Sequence, residues 1–280
     1  MNLLEDLKKT LIHYFEQFGI TLPSRKDTHY LLMCYLNLKS KLIIPYPRKI
    51  HISSELSNKE IASPFKEALD NIKDKIERGE DINPYLSKSI FNIEKPDHLL
   101  VDWGIYHLHL SNKKDKEDDY FFNRSDELLF FMCFNNEIYF IEVLPHKQMN
   151  LWGNKELLRI VNKNWPDVLE PYRIPDAINV TPNLSEKEII DARRSGSFIF
   201  TEVDGSVYSP IYGGLTTAKF AINHVQMADS IISFIKELEE VLKKQIEKKG
   251  EVSSSNYKLV YDKIAIYVIE DKTNKIIAKF

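Results

Sequence analysis

The sequence predicts an α+β fold in which helices flank a mostly antiparallel central sheet. Three strand-like apolar runs lie near the middle of the chain, at 99–110, 126–134 and 137–146. Patterns with helical periodicity lie before and after them, at 3–18, 63–78 and 217–248. A C-terminal β-hairpin followed by the longest helical pattern completes the predicted architecture, and two or three strands end the chain.

Glycine and proline mark the limits of the first elements. The first helix has one apolar stripe, formed by Leu4, Leu7, Leu11, Phe15 and Phe18. Gly19 lies just past its end. Residues 30–38 fit either a helix or a strand, and two prolines within 42–53 favour an extended edge there. Ser63-Pro64 predicts a helix start, and Gly79 predicts its end after Arg78.

The central strands differ in how they are covered. Every residue from Leu128 to Phe134 is apolar, which predicts a strand buried on both faces. Asn135-Asn136 predicts a tight turn between the second and third runs. A polar insert, 111–125, separates the first run from the second.

The C-terminal part carries its own start and turn signals. Ser185 and Glu188 form a capping-box pattern at the start of a short helix, and Asp204-Gly205 predicts the hairpin turn. The proline-rich stretch 171–182 is the best domain boundary. We therefore expect a mainly helical region, a β core with the candidate site and a C-terminal region, at 1–98, 99–170 and 171–280. These regions could also form one continuous domain.

The amino-acid composition and net charge limit the classes to which this protein can belong. The chain has 280 residues, of which 43% are hydrophobic and 28% charged, so it is too apolar to remain disordered. The formal net charge is −3 and the sequence pI is near 6.3. A dedicated nucleic-acid binder is usually basic, so nucleic-acid binding would need a local patch.

The sequence also predicts a cytoplasmic protein. The two cysteines, Cys34 and Cys133, lie far apart and do not indicate a disulfide framework. The N-terminal segment is amphipathic and contains acidic residues, unlike a signal peptide. Since every apolar run is shorter than the roughly 18 residues of a membrane span, we expect no membrane association. The sequence does not determine the oligomeric state.

Histidines are the residues that suggest chemistry. In the run GIYHLHL, strand alternation places His107 and His109 on one face, with Tyr106 on the other. His146 ends the third run, and Arg124 precedes the second. If the strands pair in sequence order, these side chains converge within roughly ten ångströms, about two strand spacings.

Such a set suits cleavage of a phosphodiester. Imidazoles can act as general base and acid near neutral pH, and a guanidinium can bind the phosphate through two hydrogen bonds. We assign His107 or His109 as the base, His146 as the acid and Arg124 as the phosphate clamp. This chemistry requires no metal and no cofactor.

The same residues carry a family resemblance. The runs GIYHLHL, RSDELLFF and EIYFIEVLPHK are similar to the three central strands of RelE/HigB-like ribonuclease toxins. The resemblance covers about residues 99–150. It implies metal-independent mRNA cleavage by a bacterial toxin or phage-defence protein, with the four site residues in matching places. It further implies RNA as a partner, and a neutralising or regulatory protein.

Two other interpretations stay open. The histidines could be structural, or three imidazoles could hold a metal ion in a metal-dependent enzyme. Alternatively, the chain could be a ligand- or protein-binding module without catalysis. An anion-binding nest before the long helix would then involve Gly213, Gly214, Thr216 and Thr217. The same residues also fit a hairpin exit followed by a threonine helix cap. We interpret Arg193-Arg194 as a helix-end pair that complements the helix dipole.

Overall fold

A computed structural model describes residues 2–248, 257–262, 265–270 and 275–279 of the chain. It has the predicted α+β architecture. The chain divides into two compact units, each assembled from separated stretches. The first comprises Met1–Leu38, Asn92–Glu94 and Asn223–Phe280, and the second Lys39–Phe91 and Lys95–Ile222. Of the three regions expected from the sequence, 1–98 and 171–280 each have residues in both units, and 99–170 lies within the second.

The helices are α1 (Leu3–Gln17), α2 (Thr28–Lys41), α3 (Ser54–Ser57), α4 (Ser63–Arg78), α5 (His98–Trp103), α6 (Glu156–Asn164), α7 (Pro166–Leu169), α8 (Glu186–Ser195) and α9 (Ile222–Lys248). Short 3₁₀ helices occupy Asn83–Tyr85, Lys88–Phe91, Leu151–Gly153 and Glu170–Tyr172. The strands are β1 (Lys49–Ile52), β2 (Ile105–His109), β3 (Glu127–Cys133), β4 (Glu137–Pro145), β5 (Thr201–Val203), β6 (Ser206–Tyr208), β7 (Tyr257–Asp262), β8 (Ala265–Glu270) and β9 (Ile276–Lys279). In the described part of the chain, no helix combines the length and apolarity that a membrane crossing requires.

The first unit contains α1, most of α9 and an antiparallel sheet in the order β7-β8-β9. Helix α1 buries the stripe that includes Leu7, Leu11 and Phe15, as expected from its periodicity. Phe18 lies beyond the end of the helix and is 55% exposed, so the stripe stops one turn earlier than predicted. The Thr10 hydroxyl donates a hydrogen bond to the Leu259 carbonyl of β7.

The second unit is built on a four-stranded sheet in the order β1-β4-β3-β2. Strand β1 pairs in parallel with β4, and the other two pairings are antiparallel. The central strand β3 is buried on both faces, as predicted. Its Leu129 and Phe131 join one core with Ile72 of α4, while Leu128 and Phe130 join the opposite core, which receives side chains from α5, α6 and α8.

Several local signals are confirmed. Residues 30–38, which the sequence allowed to be either a helix or a strand, belong to helix α2. Helix α4 starts at Ser63 and ends at Gly79, whose φ of +70° places it in the left-handed region. Helix α8 has the full capping box of Ser185 and Glu188. The β5–β6 hairpin turns at Asp204-Gly205 as expected.

The first apolar run is not a strand throughout, which corrects the prediction for 99–110. Its first half forms α5, and β2 begins only at Ile105. The Asp97 carboxylate accepts hydrogen bonds from the amides of Leu99 and Leu100, both at 3.1 Å, and so caps the helix. Gly104, at φ +65°, ends it. A short apolar run is compatible with either buried element, so the cap and the glycine decide here.

The long helix α9 begins at Ile222, five residues later than the predicted 217. The preceding segment closes on itself, because the Thr216 amide donates to the Phe220 carbonyl and the Thr216 hydroxyl accepts from the Phe220 amide. Lys219 lies within this loop at φ +63°, a left-handed conformation that interrupts a right-handed helix.

Candidate active site on the central sheet

Three imidazoles lie together on one face of the central sheet. We refer to His107, His109 and His146 as the histidine cluster. The ring centres of His109 and His146 are 5.8 Å apart, with an interplanar angle of 26°. The Trp152 ring lies 4.9 Å from that of His107 and 6.1 Å from that of His146, measured between centres. The convergence expected from strand alternation is therefore present for the histidines.

Strand register brings these rings together. His109 of β2 lies opposite Leu128 of β3, which in turn lies opposite Leu144 of β4. Beyond β4, the His146 amide donates to the Asp126 carbonyl at 2.7 Å, so the pairing continues to His146. Side chains separated by two strands lie about 10 Å apart at the backbone, and the imidazoles lean toward each other across β3.

His109 is the most enclosed member of the cluster, with 3% of its surface exposed. Its Nδ1 accepts a hydrogen bond from the Ser125 amide at 3.2 Å. Burial, together with the neighbouring rings of His107 and His146, lowers the pKa of His109 to about 4. The ring is thus neutral at pH 7, and its proton resides on Nε2.

His107 is also largely enclosed, with 17% of its side chain exposed. Burial lowers its pKa, and the Asp97 carboxylate partly opposes this effect. The His107 Nδ1 and the nearer Asp97 oxygen are 3.8 Å apart, which is too far for a hydrogen bond. Like His98, His107 lines a cavity next to α5.

His146 is half-buried and lines an open groove of about 1020 Å³, as does Arg124. Arg124 is exposed, and its Nη2 donates to the Ser87 hydroxyl at 3.2 Å. The groove carries both signs of charge, since Lys88 pairs there with Asp115 at 2.7 Å. Of the four predicted catalytic residues, the structure therefore brings His146 and Arg124 to one accessible surface. His109 stands behind His146, and His107 faces the cavity. The catalytic assignments stay predictions.

The predicted anion-binding residues lie in the loop before α9. Gly213 and Gly214 have φ values of +77° and +73°. The Gly213 amide donates to the Pro210 carbonyl and the Thr216 amide to the Phe220 carbonyl, so two amides of the loop already have acceptors. Thr217 is exposed. Because α9 begins at Ile222, neither threonine is adjacent to the helix start, although the Gly214 carbonyl accepts a hydrogen bond from the Ile222 amide at 2.9 Å. The role of these residues in anion binding stays a prediction.

A buried ion pair was missed by the sequence analysis. Arg193 donates from Nε to an Asp102 carboxylate oxygen at 2.6 Å, and both side chains are at most 5% exposed. The guanidinium also lies 4.1 Å from the Trp103 ring centre and donates from Nη1 to the Trp152 carbonyl. Burial raises the pKa of Asp102 and lowers that of Arg193, while their mutual attraction opposes both shifts. One signal could have revealed Arg193, because it follows the buried Ile189 by one helical turn.

Among the residues that the structure describes, no three histidine, cysteine or acidic side chains are arranged to hold a metal ion. Comparisons with protein-family models, curated proteins and solved structures gave no match. Function is therefore inferred from the geometry of the groove and of the histidine cluster.

Proposed function

We propose that this protein is a metal-independent endoribonuclease that cleaves RNA bound in the groove. The observation that carries the proposal is the joint position of His146 and Arg124, an accessible imidazole and an exposed guanidinium on one groove surface. An imidazole can move a proton near neutral pH, and a guanidinium can bind a phosphate. RNA supplies the remaining group, the 2′-hydroxyl that attacks the phosphorus.

In this scheme His146 removes the proton from the 2′-hydroxyl. The 2′-oxygen forms a bond to phosphorus while the bond from phosphorus to the 5′-oxygen breaks, and the leaving oxygen takes a proton from water. Arg124 stabilises the negative charge that develops on the phosphate oxygens. The products are a 2′,3′-cyclic phosphate and a free 5′-hydroxyl, and His146 returns its proton to solvent.

In this scheme His146 is the base and not the acid that the sequence suggested, and water replaces it as the proton donor. The buried histidines, one of which was expected to be the base, take other roles. His109 has little contact with solvent, and its Nδ1 is occupied by the Ser125 amide. It therefore acts as a positioning residue, since its ring stacks against His146 and limits the orientations of that ring. His107 faces the cavity and has no part in cleavage.

Further groove residues suit a single-stranded polynucleotide. Phe65 and Phe122 line the groove, and Phe122 is held by stacking on Tyr85, with 4.3 Å between ring centres. Aromatic faces of this kind can stack with bases of any sequence. Lys113 adds an exposed cation. Because acidic residues also line the groove, we expect moderate affinity that decreases with salt.

The similarity to RelE/HigB-like toxins extends the proposal to a biological setting. A growth-inhibiting ribonuclease of a toxin or phage-defence system must be kept inactive in healthy cells. We propose that a neutralising protein partner does this by covering the groove, which would deny RNA access to His146.

The proposal is tested by incubating the purified protein with a mixed-sequence RNA, with and without chelator. We expect chelator-resistant cleavage that leaves 2′,3′-cyclic phosphate ends, and no cleavage of the same sequence made with 2′-deoxynucleotides. His146→Asn should lower the rate by about 10²- to 10⁴-fold, the range for loss of a general acid or base. The matched control His13→Asn changes an exposed histidine of α1 and should cleave at the wild-type rate.

Three results would contradict the proposal. The first is cleavage abolished by chelator, the second is equal cleavage of the 2′-deoxy substrate, and the third is full activity of His146→Asn. Circular dichroism of each variant separates loss of chemistry from loss of folding.

A further inference from the structure

A cavity of about 400 Å³ lies beside the groove, with which it shares Leu86 and Ser87. Its lining comes from segments that are distant in sequence, at 86–90, 95–100, 106–107 and 190–194, with Lys41 and Trp152. All of them belong to the second compact unit. The volume lies in the range of small-molecule sites in proteins.

The cavity contains a buried donor without an acceptor. Arg193 is 2% exposed, and its Nε and Nη1 donate to Asp102 and to the Trp152 carbonyl. Its Nη2 is buried and has no hydrogen-bond partner in the described part of the chain. Leaving a buried charged donor unpaired is costly, because its lost hydration is not replaced. An acceptor on a bound molecule would complete the guanidinium's hydrogen bonds.

Two imidazoles on the cavity wall also have a buried nitrogen that lacks a hydrogen-bond partner in the described part of the chain. The Nδ1 atoms of His98 and His107 are buried, and neither has a hydrogen-bond partner among the described residues. Burial and the nearby Arg193 lower the pKa of His98 to about 4, so this ring is neutral at pH 7. A neutral imidazole can donate or accept, and can therefore adapt to an incoming polar group.

The charge and shape of the wall indicate the chemistry of the molecule. Beyond the Arg193–Asp102 pair, the cationic residues Lys41 and Lys95 outnumber the carboxylate of Asp97, while Arg194 pairs with Asp191 at 3.6 Å. One oxygen of the Asp97 carboxylate accepts hydrogen bonds from the amides that it caps, and the other lies 3.8 Å from His107 Nδ1. The remaining wall is largely apolar, with Ile90, Leu99, Leu100, Trp152 and Ile190. A positive end and an apolar wall suit an organic anion.

We propose that this cavity binds a small organic molecule through a phosphate or carboxylate group, which accepts a hydrogen bond from Arg193 Nη2 and contacts His98. The organic part packs against Trp152 and Ile190. This binding function goes beyond RNA cleavage and does not depend on it. The shared chemistry is an oxyanion attached to an apolar or ring-containing body.

The test is calorimetric titration of the full-length protein with four probes, namely adenosine monophosphate, adenosine, benzoate and inorganic phosphate. We expect adenosine monophosphate or benzoate to bind, and adenosine to bind at least tenfold more weakly than its monophosphate. Binding of the nucleotide alone would identify phosphate as the anionic group, and binding of benzoate alone would identify carboxylate. No RNA is present, so the result is independent of the cleavage assay.

Two variants locate the binding. Ile190→Trp places a large ring in the cavity and should abolish binding. His98→Asn removes an imidazole whose Nδ1 has no protein partner, and should weaken binding roughly ten- to hundredfold, as for one hydrogen bond to a charged group. His13→Asn is the matched control, at an exposed position in the other unit. Absence of binding for all four probes overturns the proposal, and so does unchanged affinity in both cavity variants. His98→Asn keeps the test decisive if Ile190→Trp does not fold.

Discussion

The groove and the cavity lie side by side, yet they hold their arginines in opposite ways. Arg124 in the groove is exposed and donates a hydrogen bond to the Ser87 hydroxyl. Arg193 in the cavity is buried with a carboxylate, a backbone carbonyl and the Trp103 ring around it. A charge in water needs no fixed partner, whereas a buried charge must be compensated by groups that the fold holds in place. This contrast is the basis on which we propose that the groove binds a polymer and the cavity a small molecule.

The histidines show the same contrast. His146 at the groove is half-buried, whereas burial keeps His109 neutral well below pH 6. An imidazole that exchanges protons with a substrate must be reachable, and a neutral buried imidazole serves better to orient its neighbour. Identical residue types on one sheet face therefore differ in their access to solvent, and this difference is the basis of the roles that we propose for them.

The largest effect on stability is expected from Arg193→Met. This change leaves the Asp102 carboxylate buried without a countercharge, which typically costs about 3–5 kcal/mol of the free energy of unfolding. The measurement is urea unfolding followed by tryptophan fluorescence, because Trp103, Trp152 and Trp165 all lie in the second unit. The double variant Arg193→Met/Asp102→Leu should recover much of the loss. Equal stability of the single and double variants would show that the ion pair is not what matters there.

A smaller effect concerns pH. The folded-state pKa of His109 is about 4, below its ordinary value of 6.5, so the unfolded chain binds the extra proton first as pH falls. Stability should therefore decrease between about pH 6.5 and 4, by about 1.4 kcal/mol per pH unit for this proton. His109→Leu should show a shallower decrease in urea titrations across this range, with His13→Leu as the matched exposed substitution. A slope identical to that of the wild-type protein would refute the neutral, buried state of His109.

The helix cap beside the cavity gives the next effect. Asp97→Ala removes the acceptor for the amides of Leu99 and Leu100 and should cost about 1 kcal/mol in the same unfolding assay. Asp97→Asn keeps a side-chain oxygen at the cap and should cost less. If the two variants are equally destabilised, the carboxylate charge near His107 matters more than the cap.

The smallest effect on stability is expected at the groove. Arg124→Met should change the free energy of unfolding by less than about 0.5 kcal/mol, as is usual for exposed positions. The same change should lower RNA cleavage by about 10²- to 10³-fold, because it removes the group that stabilises the phosphate charge. If Arg124→Met is markedly unstable, or if it cleaves RNA at the wild-type rate, the contrast between an exposed, functional Arg124 and a buried, structural Arg193 is contradicted.

Local signals predicted much of the fold. The proline start and glycine end of α4, the capping box of α8 and the Asp204-Gly205 turn each depend on a few neighbouring residues, and the structure has them as expected. The alternation that places His107 and His109 on one face is equally local. The start of α9 and the helical half of 99–110 were predicted incorrectly. The apolar residues of 99–110 are compatible with a helix or a strand, and the Asp97 cap and the left-handed Gly104 decide for a helix in the first half. Before α9, the left-handed conformation of Lys219 delays the start of the helix.

The sequence alone determined the α+β class, the second and third central strands and the shared face of His107 and His109, since these follow from periodicity along the chain. Only the tertiary structure decided which histidine meets solvent and which is enclosed. It also decided that Arg193 of α8 would meet Asp102 of α5, two residues separated by 91 positions. The burial of a side chain and its choice of ion-pair partner depend on elements that are remote in sequence. The periodicity of a helix shows which of its faces is apolar, but not which element will cover that face. For this reason the sequence indicates the chemistry of the candidate residues, and the fold assigns them to a groove or to a cavity.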